Sequence, residues 1–335
     1  MNNYKRHRTE RNLVGIFFLT ASVISICIRF MPQDVLFRIV DANMLLSTAI
    51  SELMILIPAL LMLLIWFFIQ MKWESEDEEY SAVRISDRLM YRSARPASIL
   101  MTFLYTLTIS PLITLCNLIT TLFVDNTVLE YSSEILDMSF PVAVITIAVI
   151  PPLCEEFVFR GFVYGGYRRA CRPAGSILMS AFLFGLIHGN INQFAYAFII
   201  GIAMALLAEA TGSIWPTILM HFLINIRSVA AMYLLDYLDN GIFEEILESG
   251  LNTDMNSTLI TIAIYAVLSV LTTLMAGAIL SWISGHEGRS NPLKTFAANR
   301  TFKTSRLSVF SIPLVIGILI SVAYMIEVEI LYAMQ

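Results

Sequence analysis

The sequence predicts an all-α fold, a polytopic transmembrane helix bundle of about eight or nine membrane segments. The chain is 57% hydrophobic and only 14% charged, with a mean hydropathy of +0.74, which excludes an ordinary soluble domain. Apolar runs long enough to cross a bilayer recur along its whole length. Lysine and arginine cluster in alternate loops, as expected for a chain threaded repeatedly through a membrane.

The first run, Leu13 to Ile28, follows Lys5, Arg6, Arg8 and Arg11. It is long for a signal peptide and no small-residue cleavage site follows, so it reads as an uncleaved span. Further spans are expected at about Leu45 to Met71, Ile99 to Val124 and from Phe140 onward. Gly175 to His188 is short for a crossing, so it is expected to tilt or to end inside the protein, with Gly189-Asn190-Ile191-Asn192 turning at depth. Ile191 to Leu207, Ile214 to Leu235, Leu259 to Ile283 and Leu307 to Leu331 complete the set.

Of the 21 lysines and arginines, 17 fall in the N-terminal tail and in the loops at 72–98, 165–174 and 285–306. The loops at 125–138 and 236–254 carry only acids. By the positive-inside rule the basic face is cytoplasmic, which predicts a multi-pass cell-membrane protein with its N-terminus in the cytoplasm. The basic half of the loop, with Arg84, Arg88, Arg92 and Arg95 interleaved by Val83, Ile85 and Leu89, is expected to lie amphipathically at the headgroups or as a solvated loop. Cys27, Cys116, Cys154 and Cys171 form no C-x-x-C pair, so neither a zinc ribbon nor a redox motif is suggested. Cys171, beside Arg168, Arg169 and Arg172, reads as an interfacial residue or an acylation site. Three regions follow: 1–138, an N-terminal transmembrane region with its charged cytoplasmic loop; 139–235, where the intramembrane polar residues gather; and 236–335, a C-terminal transmembrane pair.

The informative stretch is Pro151-Pro152-Leu153-Cys154-Glu155-Glu156-Phe157-Val158-Phe159-Arg160-Gly161. It sets two carboxylates and a guanidinium at the end of an apolar run, where an unpaired charge is costly. Glu156 and Arg160, at i and i+4, can pair on one helical face, while Glu155 points about a quarter turn away. One acid is thereby neutralised and the other is free to act as a general base. The trio would equally serve as an ion cluster stapling helices. Two histidines lie in the apolar segments that follow, His188 and His221, and Asn225 shares a helical face with His221. His221 and Asn225 suit an oxyanion-stabilising pair, although each histidine alone reads more simply as an interhelical hydrogen-bond partner. Arg227, two positions beyond Asn225, faces elsewhere, and neither Glu52 nor Glu209 has a partner evident from spacing.

Glu155-Glu156-x-x-x-Arg160, Phe184-x-x-x-His188 and His221-x-x-x-Asn225, in that order on successive helices, resemble the three signature motifs of the CPBP family. This group contains the CAAX prenyl proteases and related bacteriocin-processing or Abi membrane proteins, glutamic-type intramembrane endopeptidases. The resemblance covers about residues 140 to 235, so that 139–235 becomes a CPBP-like catalytic core. It implies that Glu155 activates water with the help of His188, that His221 and Asn225 stabilise the oxyanion, and that Glu156 with Arg160 holds the architecture. The implied function is hydrolysis of peptide bonds in membrane-associated peptides or proteins, through a cavity opening to the cytoplasmic leaflet.

No H-e-x-x-H and no G-x-S-x-G occurs, so zinc-protease and serine-hydrolase motifs are lacking. A carboxylate and two histidines could form a three-ligand zinc site, but Asn225 is a poor zinc ligand and a good oxyanion donor, which favours metal-free catalysis. No cofactor and no nucleic acid is implied; the expected partners are the substrate and the bilayer. The reading from a different class is a non-catalytic scaffold that keeps the motifs for packing and regulates a membrane-protein partner. A transporter is disfavoured, because neither internal repeats nor paired broken helices are evident.

Overall fold

The computed structural model describes residues 3–29, 44–77, 82–124, 131–238, 255–297 and 307–334. The acidic stretch at 239–254 and the basic residues Arg300, Lys303 and Arg306 lie outside them. Among the described residues the architecture is all-helical: α1 (Asn3–Arg29), α2 (Met44–Glu76), α3 (Pro96–Thr120), α4 (Phe140–Ala170), α5 (Pro173–Leu186), α6 (Ile191–Thr211), α7 (Trp215–Leu238), α8 (Met255–His286) and α9 (Ile312–Ala333). Eight are long and apolar enough to cross a membrane, and α5, at 14 residues, is the short one. The expected spans therefore appear in the expected order.

Neighbouring helices pack by small residues and hydroxyls rather than by apolar side chains alone, as helices surrounded by acyl chains require. α1 lies along α9, where the Ser22 and Ser321 hydroxyls meet at 2.9 Å. α3 contacts both α8 and α6, and the Tyr105 hydroxyl donates to the Ala203 carbonyl at 3.1 Å. α5 and α6 form a hairpin through a tight turn. Gly189 adopts φ +71°, and Asn190 caps α6 by accepting from the Gln193 amide at 2.8 Å. That turn holds His188 inside the protein, as its sequence suggests.

α4 is the irregular helix. Two wide π-helical stretches, Val144–Val149 and Phe157–Tyr164, flank an α-helical piece, Ile150–Glu156, that carries both prolines and both acids. Such wide turns arise where the usual hydrogen-bond ladder is interrupted. Pro151 and Pro152 supply the interruption for the first stretch, since neither has an N–H to give to the carbonyls a turn earlier.

Two expectations change. Within the basic half of the 72–98 loop, Arg88 and Leu89 turn inward, while Arg84, Arg92 and Arg95 stay exposed. Arg88 is fully buried, donates to Glu10 at 2.9 Å and stacks over the Trp66 and Phe162 rings at 5.0 and 4.7 Å. Glu10, on α1, accepts from Trp66 Nε1 at 2.7 Å as well, so the arginine answers an acid already inside the bundle. Gly161 and Gly165 on α4 open the groove that admits the segment. A Cβ at Gly165 would stand 2.3 Å from the Arg88 carbonyl oxygen, and one at Gly161 would stand 3.3 Å from Leu89. The second change concerns Cys171, which is buried against Ser308 and so is not available at the interface for acylation.

Candidate active site

Glu155 lies at the middle of α4 and not toward its cytoplasmic end, and Glu156 and Arg160 are both fully buried. Arg160 donates to Glu156 Oε1 at 2.8 Å and to the Gly201 carbonyl at 3.3 Å, and its guanidinium covers the Phe184 ring at 4.4 Å. The ion pair is thus held from three sides by α4, α5 and α6, and the charge of Glu156 is met within its own helix.

His221, on α7, joins the two acids. Its Nδ1 lies 3.1 Å from Glu156 Oε1 and its Nε2 lies 3.8 Å from Glu155 Oε2. Because the Arg160-paired carboxylate accepts, Nδ1 is the donor there and Nε2 is the nitrogen turned to Glu155. Glu155 Oε2 is buried and has no hydrogen-bond partner. Glu156 therefore does more than brace the helix, because it fixes the ring that faces Glu155.

His188 is fixed in a similar way. Its Nδ1 is 2.8 Å from the Phe184 carbonyl, which can only accept, so Nδ1 carries the proton and Nε2 keeps its lone pair. Phe184 packs edge-on against both imidazoles, with centroids 5.1 Å from His188 and 5.8 Å from His221. Asn225 Nδ2 donates to the Ile147 carbonyl at 2.9 Å. That carbonyl is left without a helical donor because residues 151 and 152 are both prolines.

Glu155, His188, His221 and Asn225 all line one cavity of about 650 Å³. Glu156 and Arg160 sit behind its wall. The cavity is not where the sequence reading put its opening. Its other walls come from Thr48, Ser51 and Glu52 at the start of α2, Ile113 to Asn117 at the end of α3, Gln193 to Ile200 at the start of α6 and Met232 on the last turns of α7. These are the helix ends remote from the basic loops, and the acid-bearing 125–138 connection contributes Tyr131. The cavity therefore occupies the half of the bundle facing away from the basic face.

Spacing missed several lining groups. Arg227 is exposed and borders the same cavity. Thr146 Oγ1 and Glu52 Oε2 are buried without hydrogen-bond partners, and both residues line the cavity. Glu52 was visible in the sequence as an acid within an apolar run, a sign that such a residue faces the protein interior. Glu209, by contrast, is a clamp: Tyr164 donates to it at 2.7 Å and Arg168 at 3.0 Å, with Arg289 at 3.8 Å.

Comparison with known proteins falls on the same region. Residues 137–227 match the family model described as type II CAAX prenyl endopeptidase Rce1-like. Over 98 residues the chain is 26% identical to the Bacillus subtilis (strain 168) protein named "Putative membrane peptidase YdiL", covering 29% of this chain and 40% of that protein. The chain thus matches less than half the length of that relative. No solved structure matches. The matched segment contains all three motifs and runs from the start of α4 to the cavity face of α7, so this part of the chain is similar to the CAAX-type membrane proteases.

Proposed function

We propose that this protein is an intramembrane endopeptidase that hydrolyses peptide bonds of membrane-associated peptides or proteins by a glutamic, metal-independent mechanism. The observation that carries the reading is Glu155. Its carboxyl, unpartnered and buried, faces an imidazole whose far nitrogen is held by a second, ion-paired carboxylate, inside a cavity large enough for a stretch of peptide.

Glu155 takes a proton from a water that is also hydrogen-bonded to His188 Nε2, and the resulting hydroxide attacks the scissile carbonyl carbon. The oxyanion so formed is met by the second N–H of the Asn225 amide, the first being committed to Ile147. His221 contributes at Nε2 only as an imidazolium, because its Nδ1–H already serves Glu156. Collapse of the tetrahedral intermediate breaks the C–N bond, and the proton held by Glu155 passes to the departing amine.

With the basic loops in the cytoplasm, the cavity opens to the opposite leaflet, and substrate enters from the extracytoplasmic side. The test is cleavage by the purified protein in nanodiscs and comparison of membrane peptides between a Glu155→Gln strain and its parent. The expected result is loss of cleavage and accumulation of uncut precursors with protein level unchanged. Unaltered processing in the Glu155→Gln strain overturns the assignment.

A further inference from the structure

Glu52 belongs to no motif of the site, yet it is the second acid of the cavity. It lies on α2, is 7% exposed, and its Oε2 has no hydrogen-bond partner. α2 packs directly on the Ile150–Glu156 piece of α4, and the Glu52 carboxyl is close enough to Glu155 for their charges to interact. Structural acids elsewhere in this bundle are answered by the protein: Glu10 by Arg88 and Trp66, Glu156 by Arg160, Glu209 by Arg168 and Tyr164. Glu52 is not. Arg227 borders the same cavity but forms no ion pair with Glu52 or Glu155 among the described residues. A buried carboxyl aimed into a binding cavity without a counter-ion is a site for a cation brought by the ligand.

Resting on the peptidase reading, we infer that Glu52 is a specificity-determining residue that binds the side chain of a lysine or arginine close to the scissile bond of the substrate. Glu155 lines the same cavity as Glu52, so a cation on Glu52 draws the neighbouring backbone carbonyl toward the base. The substrate class is then a membrane-associated peptide with a basic residue flanking its cleavage site. The cavity half facing away from the basic loops suits this, because a basic segment entering there avoids the lysines and arginines of those loops.

The experiment uses the full-length protein in nanodiscs and a library of N-acylated peptides in which each position varies over Lys, Ala and Glu, with cut sites read by mass spectrometry. Wild type is expected to cut next to Lys about tenfold more often than next to Ala, as one charge-assisted hydrogen bond provides. Glu52→Gln, nearly isosteric, is expected to erase that preference by raising KM for the Lys peptides, so that Lys and Ala peptides are cut alike. Glu52→Lys is expected to turn the preference toward Glu. Cutting with no preference for Lys by the wild type overturns this inference but not the peptidase reading. So does an equal fall in kcat on all peptides in Glu52→Gln, which would mean that Glu52 serves the chemistry itself. If wild type cuts no peptide in the library, the peptidase reading falls and the inference falls with it.

Discussion

The Asn225 amide donates to the Ile147 carbonyl across the α7–α4 interface, at 2.9 Å, where the two prolines of α4 leave that carbonyl without a helical donor. One residue therefore closes a gap in α4 and also lines the cavity. Asn225→Ala should lower cleavage by about a hundredfold or more, as loss of an oxyanion donor does. It should also destabilise the protein by about 1–3 kcal/mol, because a buried carbonyl is orphaned. Thermal unfolding in detergent together with kcat/KM separates the two effects; normal stability with lost activity would show that the Ile147 contact is incidental.

Glu155 and Glu156 are adjacent and should behave oppositely. Glu155 Oε2 makes no hydrogen bond, so Glu155→Gln should abolish cleavage and leave Tm unchanged or raised. Glu156→Gln leaves Arg160 buried without its anion and frees the His221 ring, so it should cost about 3–5 kcal/mol as well as activity. The check is Tm and cleavage for both variants in one detergent; equal losses of stability would remove the division of labour between the acids.

Much of this was legible in the sequence. Among the described residues the long apolar helices followed from apolar runs, because a bilayer imposes one secondary structure on whatever crosses it. The Glu156–Arg160 pair followed from i,i+4 spacing, which survives the switch from α to π geometry just beyond Glu156. What was not legible depends on contacts between distant segments. Arg88 reads as one more loop arginine until Glu10, 78 positions away, is placed beside it. Gly161-x-x-x-Gly165 was the available sign that another segment would press close to α4 there. The side on which the cavity opens also escaped spacing. The acids on α4 indicate a site at the middle of the helix, and only the packing of α2, α3, α6 and α7 shows which half of the bundle is hollow.

The Glu10–Arg88 pair should be a stability element independent of catalysis. Arg88→Met leaves Glu10 with Trp66 and the longer Arg169 contact of 3.6 Å, and should cost about 3–5 kcal/mol. The Glu10→Gln, Arg88→Met double variant should recover much of that, since no buried charge is then left unpaired. A double-mutant cycle on Tm measures the coupling, and additive losses would mean that the two side chains do not interact.

Activity should survive removal of divalent metals, because Glu155 is proposed as the base that activates water. Each imidazole offers the cavity only its Nε2, because the Nδ1 of His188 serves the Phe184 carbonyl and that of His221 serves Glu156. Glu156 is itself engaged by Arg160, and Asn225 turns its amide nitrogen toward Ile147. Among the described residues no three His, Cys, Asp or Glu side chains are grouped as a zinc site needs. Dialysis against EDTA and then 1,10-phenanthroline, with metal content read by mass spectrometry, should leave kcat/KM within about twofold, because Glu155 rather than a metal lowers the barrier to water attack. Loss of cleavage that returns on adding zinc would replace the glutamic mechanism with a metal-assisted one, in which Glu155 and the two Nε2 atoms converge on the ion.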